Sequence, residues 1–143
     1  MDYHDVRRVH VHLLSQKTVV IDPKYIMNID LMGVRKRIHM DGRFSETQFS
    51  ERALLRIYKE HWNKDYEDKE SFQKECEEIV AQLETSDVIS IKFEFEDKLP
   101  VLVSTNWGKT TQRSKHINHN RYNYFAINIE PKDYDTWEDV EWQ

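Results

Sequence analysis

The sequence predicts an α+β fold, an antiparallel sheet of about five to six strands with two consecutive central helices packed on one face, in the order β-β-(β)-α-α-β-β-β. Two observations predict it. Apolar and polar residues alternate near both ends of the chain, as half-buried strands require, and apolar residues recur at helical spacing in the middle. A length of 143 residues is typical of one domain, so we expect residues 1–143 to share one core.

The N-terminal strands come first. Apolar and polar residues alternate from Arg8 to Leu13 within residues 6–14, and residues 18–21 form the return arm of a hairpin that Asp22 and Pro23 end. The first of these strands is expected to turn Val9, Val11 and Leu13 inward and Arg8, His10 and His12 outward. A third strand is predicted at residues 25–31, whereas residues 34–40 fit a strand and a short helix equally well.

Two helices are predicted next. The first covers about residues 46–63, because Ser45 and Gln48 have the spacing of a capping box and Phe44 and Phe49 that of a hydrophobic staple. Its apolar stripe is Phe49, Ala53, Leu54, Ile57, Tyr58 and Trp62. The second covers about residues 69–84, with a stripe of Phe72, Cys76, Ile79, Val80 and Leu83.

Strands return in the last third of the chain. They are predicted at about residues 89–96, 101–105 and 121–129, with Ile89, Ile91, Phe93, Phe95, Phe125, Ile127 and Ile129 as inward residues. A polar connection at residues 106–120 separates the last two strands and is longer than a hairpin turn needs. Long ordered loops of this kind often contain functional residues.

Composition limits the class of protein. Cys76 is the single cysteine, so an intramolecular disulfide is excluded, and the sequence shows no run of apolar residues long enough for a signal peptide or a membrane span. We therefore expect a cytoplasmic protein that does not enter a membrane. Only three glycines occur, which excludes the common glycine-rich phosphate loops, and no cofactor is predicted.

Positive charge is concentrated in two segments, residues 1–43 and 98–129, although the chain as a whole is acidic. The net charge is −5, yet residues 98–129 contain five basic residues and no acidic one. Cations neutralise phosphates and exposed aromatic rings stack on unpaired bases, so the polar segment at residues 106–124 is predicted to bind single-stranded RNA or DNA. The residues expected to do so are Lys109, Arg113, Lys115, Arg121 and Tyr124, with Tyr124 facing outward. A solvated loop that balances the acidic helices is the alternative.

Four histidines are candidates for chemistry: His10, His12, His116 and His119. The members of each pair lie two or three residues apart, and imidazole titrates near neutrality. Two imidazoles beside a phosphodiester would provide the acid and the base of a metal-independent ribonuclease. A purely structural role is the alternative, and no bound metal is predicted, because thiolate ligands are lacking.

Two classes of function remain. The first is a small intracellular nucleic-acid-binding protein, and if the chain is an enzyme, this class predicts a nuclease. The segment at residues 106–124 would bind the nucleic acid together with Arg7, Arg8 and the basic residues at positions 35–37. The second is a non-catalytic protein-binding inhibitor or immunity-type factor that uses the acidic helices and the C-terminal tail with its two tryptophans.

Overall fold

The computed structural model describes residues 5–38, 44–59, 68–104, 113–119 and 124–131. These residues confirm a mixed α+β fold that is mostly sheet, with one α-helix and one short 3-10 helix at Pro23–Tyr25. The elements are β1 (Val6–Leu13), β2 (Thr18–Ile21), β3 (Ile26–Met32), β4 (Arg35–Ile38), β5 (Phe44–Phe49), β6 (Arg52–Tyr58), α1 (Lys69–Leu83), β7 (Val88–Phe95), β8 (Val101–Ser104), β9 (Arg113–His119) and β10 (Tyr124–Pro131).

The strands form two sheets instead of the single predicted one. The large sheet has six strands in the order β2-β1-β7-β8-β5-β4, and the small sheet has four in the order β3-β6-β10-β9. Neighbouring strands are antiparallel except for β5 and β8, which run parallel. The prediction of one wholly antiparallel sheet was therefore wrong, because the chain divides its strands between two layers.

The two sheets are joined at a corner where the chain passes directly from one to the other. Strand β3 continues into β4 through Gly33 and Val34, and β5 continues into β6 through Ser50 and Glu51. Gly33 adopts a left-handed φ of 64°, and the buried Ser50 hydroxyl lies 2.8 Å from the carbonyl oxygen of Met32. Strands that change sheets at such bends are typical of orthogonal β packing.

One contiguous core lies between the sheets and α1. Strand alternation supplies most of it, because successive residues of a strand point to opposite faces. The predicted inward residues of β1 and β10 are all buried. The largest fully buried side chains include Phe93, Phe125, Leu13, Ile21, Leu55 and Ile57.

Helix α1 confirms the second predicted helix almost to the residue. Asp68 caps it by accepting a hydrogen bond from the backbone N–H of Ser71 at 2.9 Å. Its five apolar residues are all buried, as the stripe predicted: Phe72, Cys76, Ile79, Val80 and Leu83. Phe72 packs against the rings of Tyr25 and Tyr58, at centroid distances of 5.2 and 6.2 Å, and the Tyr25 hydroxyl donates a hydrogen bond to Glu75.

The first predicted helix, at residues 46–63, was wrong. Residues 44–49 form β5 and residues 52–58 form β6, while residues 60–63 lie outside the described part of the chain. In β6, Ala53, Leu55 and Ile57 are buried and the residues between them are only partly so. Apolar residues occur on both faces of this strand, so their spacing also fitted a helix. The segment forms a strand because it pairs with β3 on one side and β10 on the other.

Two further predictions changed. The polar connection at residues 106–120 is not all loop, because residues 113–119 form β9 and pair with β10. Ile89 is 37% exposed, whereas Val88 takes the inward position. The register steps from His12 opposite Ser90 to Leu13 opposite Val88, so Ile89 is the extra residue of a β-bulge.

Among the residues that the structure describes, none belongs to a helix long and apolar enough to cross a membrane.

Candidate functional site

The clearest cluster of chemically active side chains lies on the outer side of the large sheet. Because Val9 and Val11 point into the core, Arg8, His10 and His12 point away from it. Strand β7 places Glu94 opposite Arg8 and Lys92 opposite His10, and β2 places Thr18 opposite His12. We call this surface, made by Arg8, His10, His12, Thr18, Lys92 and Glu94, the histidine face.

His10 is held by an acidic partner from β7. Its Nε2 lies 3.1 Å from Oε2 of Glu94, and the two side chains are 23% and 34% exposed. The hydrogen bond from His10 is the main reason why the pKa of Glu94 lies below its usual value, and the charges of Arg7 and Arg8 lower it further. The register skips Arg7, which is the extra residue of a second bulge and brings another cation to this end of the face.

His12 is held by a neutral partner from β2. Its Nδ1 lies 3.0 Å from the Thr18 hydroxyl oxygen, so this contact orients the ring through Nδ1 and does not involve Nε2. Partial burial lowers the pKa of His12 below 6.5, and the nearby positive charges of His10 and Lys92 lower it further. His12 is therefore mainly neutral at pH 7 and able to accept a proton.

The two imidazoles interact electrostatically, since the charge of His10 contributes to the lowered pKa of His12. Residues two apart on a strand lie about 6.7 Å from each other along it, on the same side of the sheet. Lys92 is directly opposite His10 and also acts electrostatically on His12. The histidine face therefore combines a proton acceptor, an imidazole paired with a carboxylate, and an ammonium group.

The other two predicted histidines lie elsewhere. His116 and His119 belong to β9, the edge strand of the small sheet, opposite Asn128 and Phe125 in the register. The structure therefore does not bring the two histidine pairs together on one strand pair or one sheet. Within the described ranges, no group of three His, Cys, Asp or Glu side chains could hold a metal ion.

The predicted nucleic-acid-binding residues that the structure describes all lie in the small sheet. Arg113 and Lys115 lie in β9, opposite Pro131 and Ile129, while Lys109 and Arg121 are outside the described residues. Tyr124 begins β10 and faces outward on the small sheet, as its position next to the buried Phe125 predicted.

Tyr124 has a cationic neighbour that the sequence did not reveal. The guanidinium carbon of Arg56 lies 5.2 Å from the centre of the Tyr124 ring, and Arg56 also donates a hydrogen bond to Asn28 at 3.1 Å. Register across β3, β6 and β10 brings the three residues together. We call Tyr124, Arg56 and Asn28 the tyrosine face.

A groove with a volume of about 420 Å³ lies between the end of β6 and one side of α1, at the border between its buried and exposed residues. Its lining is Tyr58, Lys59, Gln73, Cys76, Glu77, Val80, Ala81 and Glu84. Burial raises the pKa of Cys76 to about 11, and the charges of Glu75 and Glu77 raise it too, so the thiol stays protonated and unreactive at pH 7.

Sequence reasoning found His10 and His12 but missed the residues that orient them. Thr18, Lys92 and Glu94 carry no motif, and only strand pairing brings them to the histidines. Comparison with family models, curated proteins and solved structures finds no match to the chain.

Proposed function

We propose that the chain binds nucleic acid and that the histidine face contacts its phosphate backbone. One observation supports this most strongly. Two strands distant in sequence place Arg8 and Lys92 beside His10 and His12 on one outer surface, although the chain has a net charge of −5. Glu94 is the acidic member of this surface, and it is already paired with His10.

The distribution of charge in the fold supports the same proposal. Strand β4, which contains Arg35, Lys36 and Arg37, belongs to the same large sheet and forms its edge opposite β2. Acidic residues occupy exposed positions of α1 instead, among them Glu70 and Glu78. A basic surface on a protein with a net negative charge attracts and orients an anionic polymer.

The tyrosine face is proposed as a second contact, for unpaired bases. Tyr124 offers a ring for stacking, Arg56 a cation and Asn28 an amide, and these groups suit single-stranded nucleic acid. Lys109, Arg113, Lys115 and Arg121 remain proposed phosphate contacts of the same segment.

Binding to a labelled single-stranded RNA, measured at several salt concentrations, tests the proposal. The variant Arg8→Gln/Lys92→Gln is expected to bind more weakly, with the salt dependence of the affinity reduced by about one unit for each lost phosphate contact. Lys74→Gln, which removes an exposed cation from α1, is the matched control and is expected to bind as the wild type does. Equal binding by all three proteins would contradict a role for the histidine face.

A protein-binding inhibitor or immunity-type factor is the second candidate, because the groove beside α1 combines apolar residues with acidic ones. Tyr58 and Val80 line it together with Glu77. If this candidate is right, the purified wild type retains one stoichiometric protein partner, Glu77→Lys loses it, and Lys92→Gln keeps it. Only one predicted acidic helix is present in the described residues, which reduces the acidic surface that this candidate requires.

A further inference from the structure

We propose that the histidine face cleaves RNA without a metal ion, with His12 as the general base and His10 as the general acid. This inference rests on the proposed nucleic-acid binding and adds a substrate class, because the reaction requires the 2′-hydroxyl of ribose. It concerns the histidine face alone and does not involve the histidines of β9.

The first step of the argument is the position of the two rings. His10 and His12 are two residues apart on β1, so their Cα atoms lie about 6.7 Å apart on the same side of the sheet. A phosphodiester bound between the two side chains would meet one imidazole at its attacking oxygen and the other at its leaving oxygen. Each ring is oriented by a neighbouring strand, His12 by Thr18 and His10 by Glu94. Fixed orientation of the acid and the base is what positions proton transfer.

The two imidazoles have different partners, as their roles require. His12 contacts a neutral hydroxyl, and partial burial together with the positive charges of His10 and Lys92 favours its neutral, proton-accepting form. His10 faces a carboxylate, the counter-charge that a protonated imidazole needs. Groups whose surroundings differ in this way can act as the base and the acid of one reaction.

The chemistry balances with these groups alone. The ribose 2′-oxygen forms a bond to phosphorus while its proton passes to His12. The bond between phosphorus and the 5′-oxygen of the next nucleotide breaks, and that oxygen takes a proton from His10. The products are a 2′,3′-cyclic phosphate and a free 5′-hydroxyl, with no oxidant or other reactant consumed.

Lys92 would stabilise the transition state. Lys92 belongs to β7, lies opposite His10 and acts electrostatically on His12. Its ammonium group would therefore be close to a phosphate bound between the two histidines. Negative charge grows on the non-bridging oxygens as the 2′-oxygen attacks, and a fixed cation beside them lowers the barrier. Arg8, the next outward residue on β1, would hold a neighbouring phosphate.

The test uses the full chain in the presence of EDTA, with a fluorescent single-stranded RNA and a DNA of the same sequence. We expect the RNA to be cut and the DNA to stay intact, with 2′,3′-cyclic phosphate and 5′-hydroxyl ends identified by mass spectrometry. His10→Ala and His12→Ala are each expected to lower the rate by about 10²–10⁴-fold. Lys74→Gln, purified in parallel, is expected to cut at the wild-type rate. Loss of cleavage in the histidine variants alone would exclude a contaminating ribonuclease, which would act equally in every preparation.

Binding is measured separately, with 2′-O-methyl RNA, which cannot undergo this reaction. Binding by the wild type and by both histidine variants, together with loss of cleavage in the variants, would support the inference. Binding without any cleavage by the wild type would overturn the inference and leave the proposed function in place. Absence of binding would overturn both. His12→Gln and circular dichroism of every variant separate loss of activity from loss of fold.

Discussion

His10 and Glu94 are 84 residues apart in sequence, and Nε2 of the first lies 3.1 Å from a carboxylate oxygen of the second. The antiparallel pairing of β1 and β7 creates this contact, since it places Arg8 opposite Glu94 and His10 opposite Lys92. The histidine face is thus a property of three neighbouring strands, β2, β1 and β7. Strands β1 and β7 are interior, so backbone hydrogen bonds on both sides fix the positions of their residues.

Glu94→Gln is expected to change how stability depends on pH. The pKa of Glu94 is lowered in the folded state, chiefly by the hydrogen bond from His10, so its contribution is present above the unfolded value of 4.5 and is lost as the pH falls through the folded value. The urea midpoint of the wild type should therefore be higher than that of the variant near pH 6, and this difference should be smaller near pH 3. Equal differences at both pH values would show that the contact is not formed in solution.

His12 is expected to titrate below 6.5 in an NMR titration of its ring protons. Burial is the main cause and the charge of His10 the next, so His10→Gln should raise the pKa of His12 without restoring it fully. Because the folded state binds this proton less readily than the unfolded state, His12 contributes stability above pH 6.5 that is lost as the pH falls through its folded pKa. A pKa above 6.5 would remove the argument for His12 as the base.

Ile79→Ala is expected to destabilise the fold by about 2–5 kcal/mol, the usual cost of truncating a buried aliphatic side chain. Ile79 belongs to the buried stripe of α1. Lys74→Ala, on the exposed side of the same helix, should stay within about 0.5 kcal/mol of the wild type in denaturant melts. Similar small losses for both variants would mean that α1 does not pack on the sheets.

Gly33→Ala tests the corner between the sheets. A side chain at a left-handed φ costs about 1–2 kcal/mol, and a Cβ at this position would lie 2.8 Å from Oε2 of Glu51. Repeating the change in a Glu51→Ala background removes the crowding and leaves the backbone cost. Urea melts should therefore still show a loss of about 1–2 kcal/mol in that background. If Gly33→Ala caused no loss of stability in the Glu51→Ala background, the whole destabilisation would come from the contact with Glu51.

Tyr124→Ala is expected to weaken binding to single-stranded nucleic acid more than binding to a duplex. Stacking of one base on an aromatic ring contributes about 1–3 kcal/mol, and a duplex does not expose its bases in this way. Tyr124→Phe keeps the ring and its contact with Arg56 and is the matched control. Equal losses for single and double strands in fluorescence anisotropy would argue against stacking.

The sequence predicted best where one period was unambiguous. The alternation around Val11 and Ile127 and the stripe around Cys76 each fit one type of element, and all three elements formed as predicted. The segment around Leu54 has apolar residues at both phases, so local spacing could not choose between helix and strand, and pairing across the small sheet did. Strand β9 was missed because its residues are mostly polar.

The candidate site was predictable to the same extent. Alternation alone places His10 and His12 on one side of a strand. Their partners Thr18, Lys92 and Glu94 depend on which strands are neighbours and in which register, and these depend on the packing of the whole core. Tyr124 was found from its own strand, whereas Arg56 was assigned to a helix and could not be placed beside it.

The corner at Gly33 and Ser50 has a mechanical consequence. Residues 26–38 and 44–58 contribute hydrogen-bonded strands to both layers, with the Ser50 hydroxyl beside the Met32 carbonyl where they bend. If one sheet slid over the other, the backbone hydrogen bonds of both strand pairs, β3 with β6 and β4 with β5, would have to break together. The two sheets are therefore expected to move as one rigid unit. Amide protons at the corner should then exchange with solvent as slowly as those of the core.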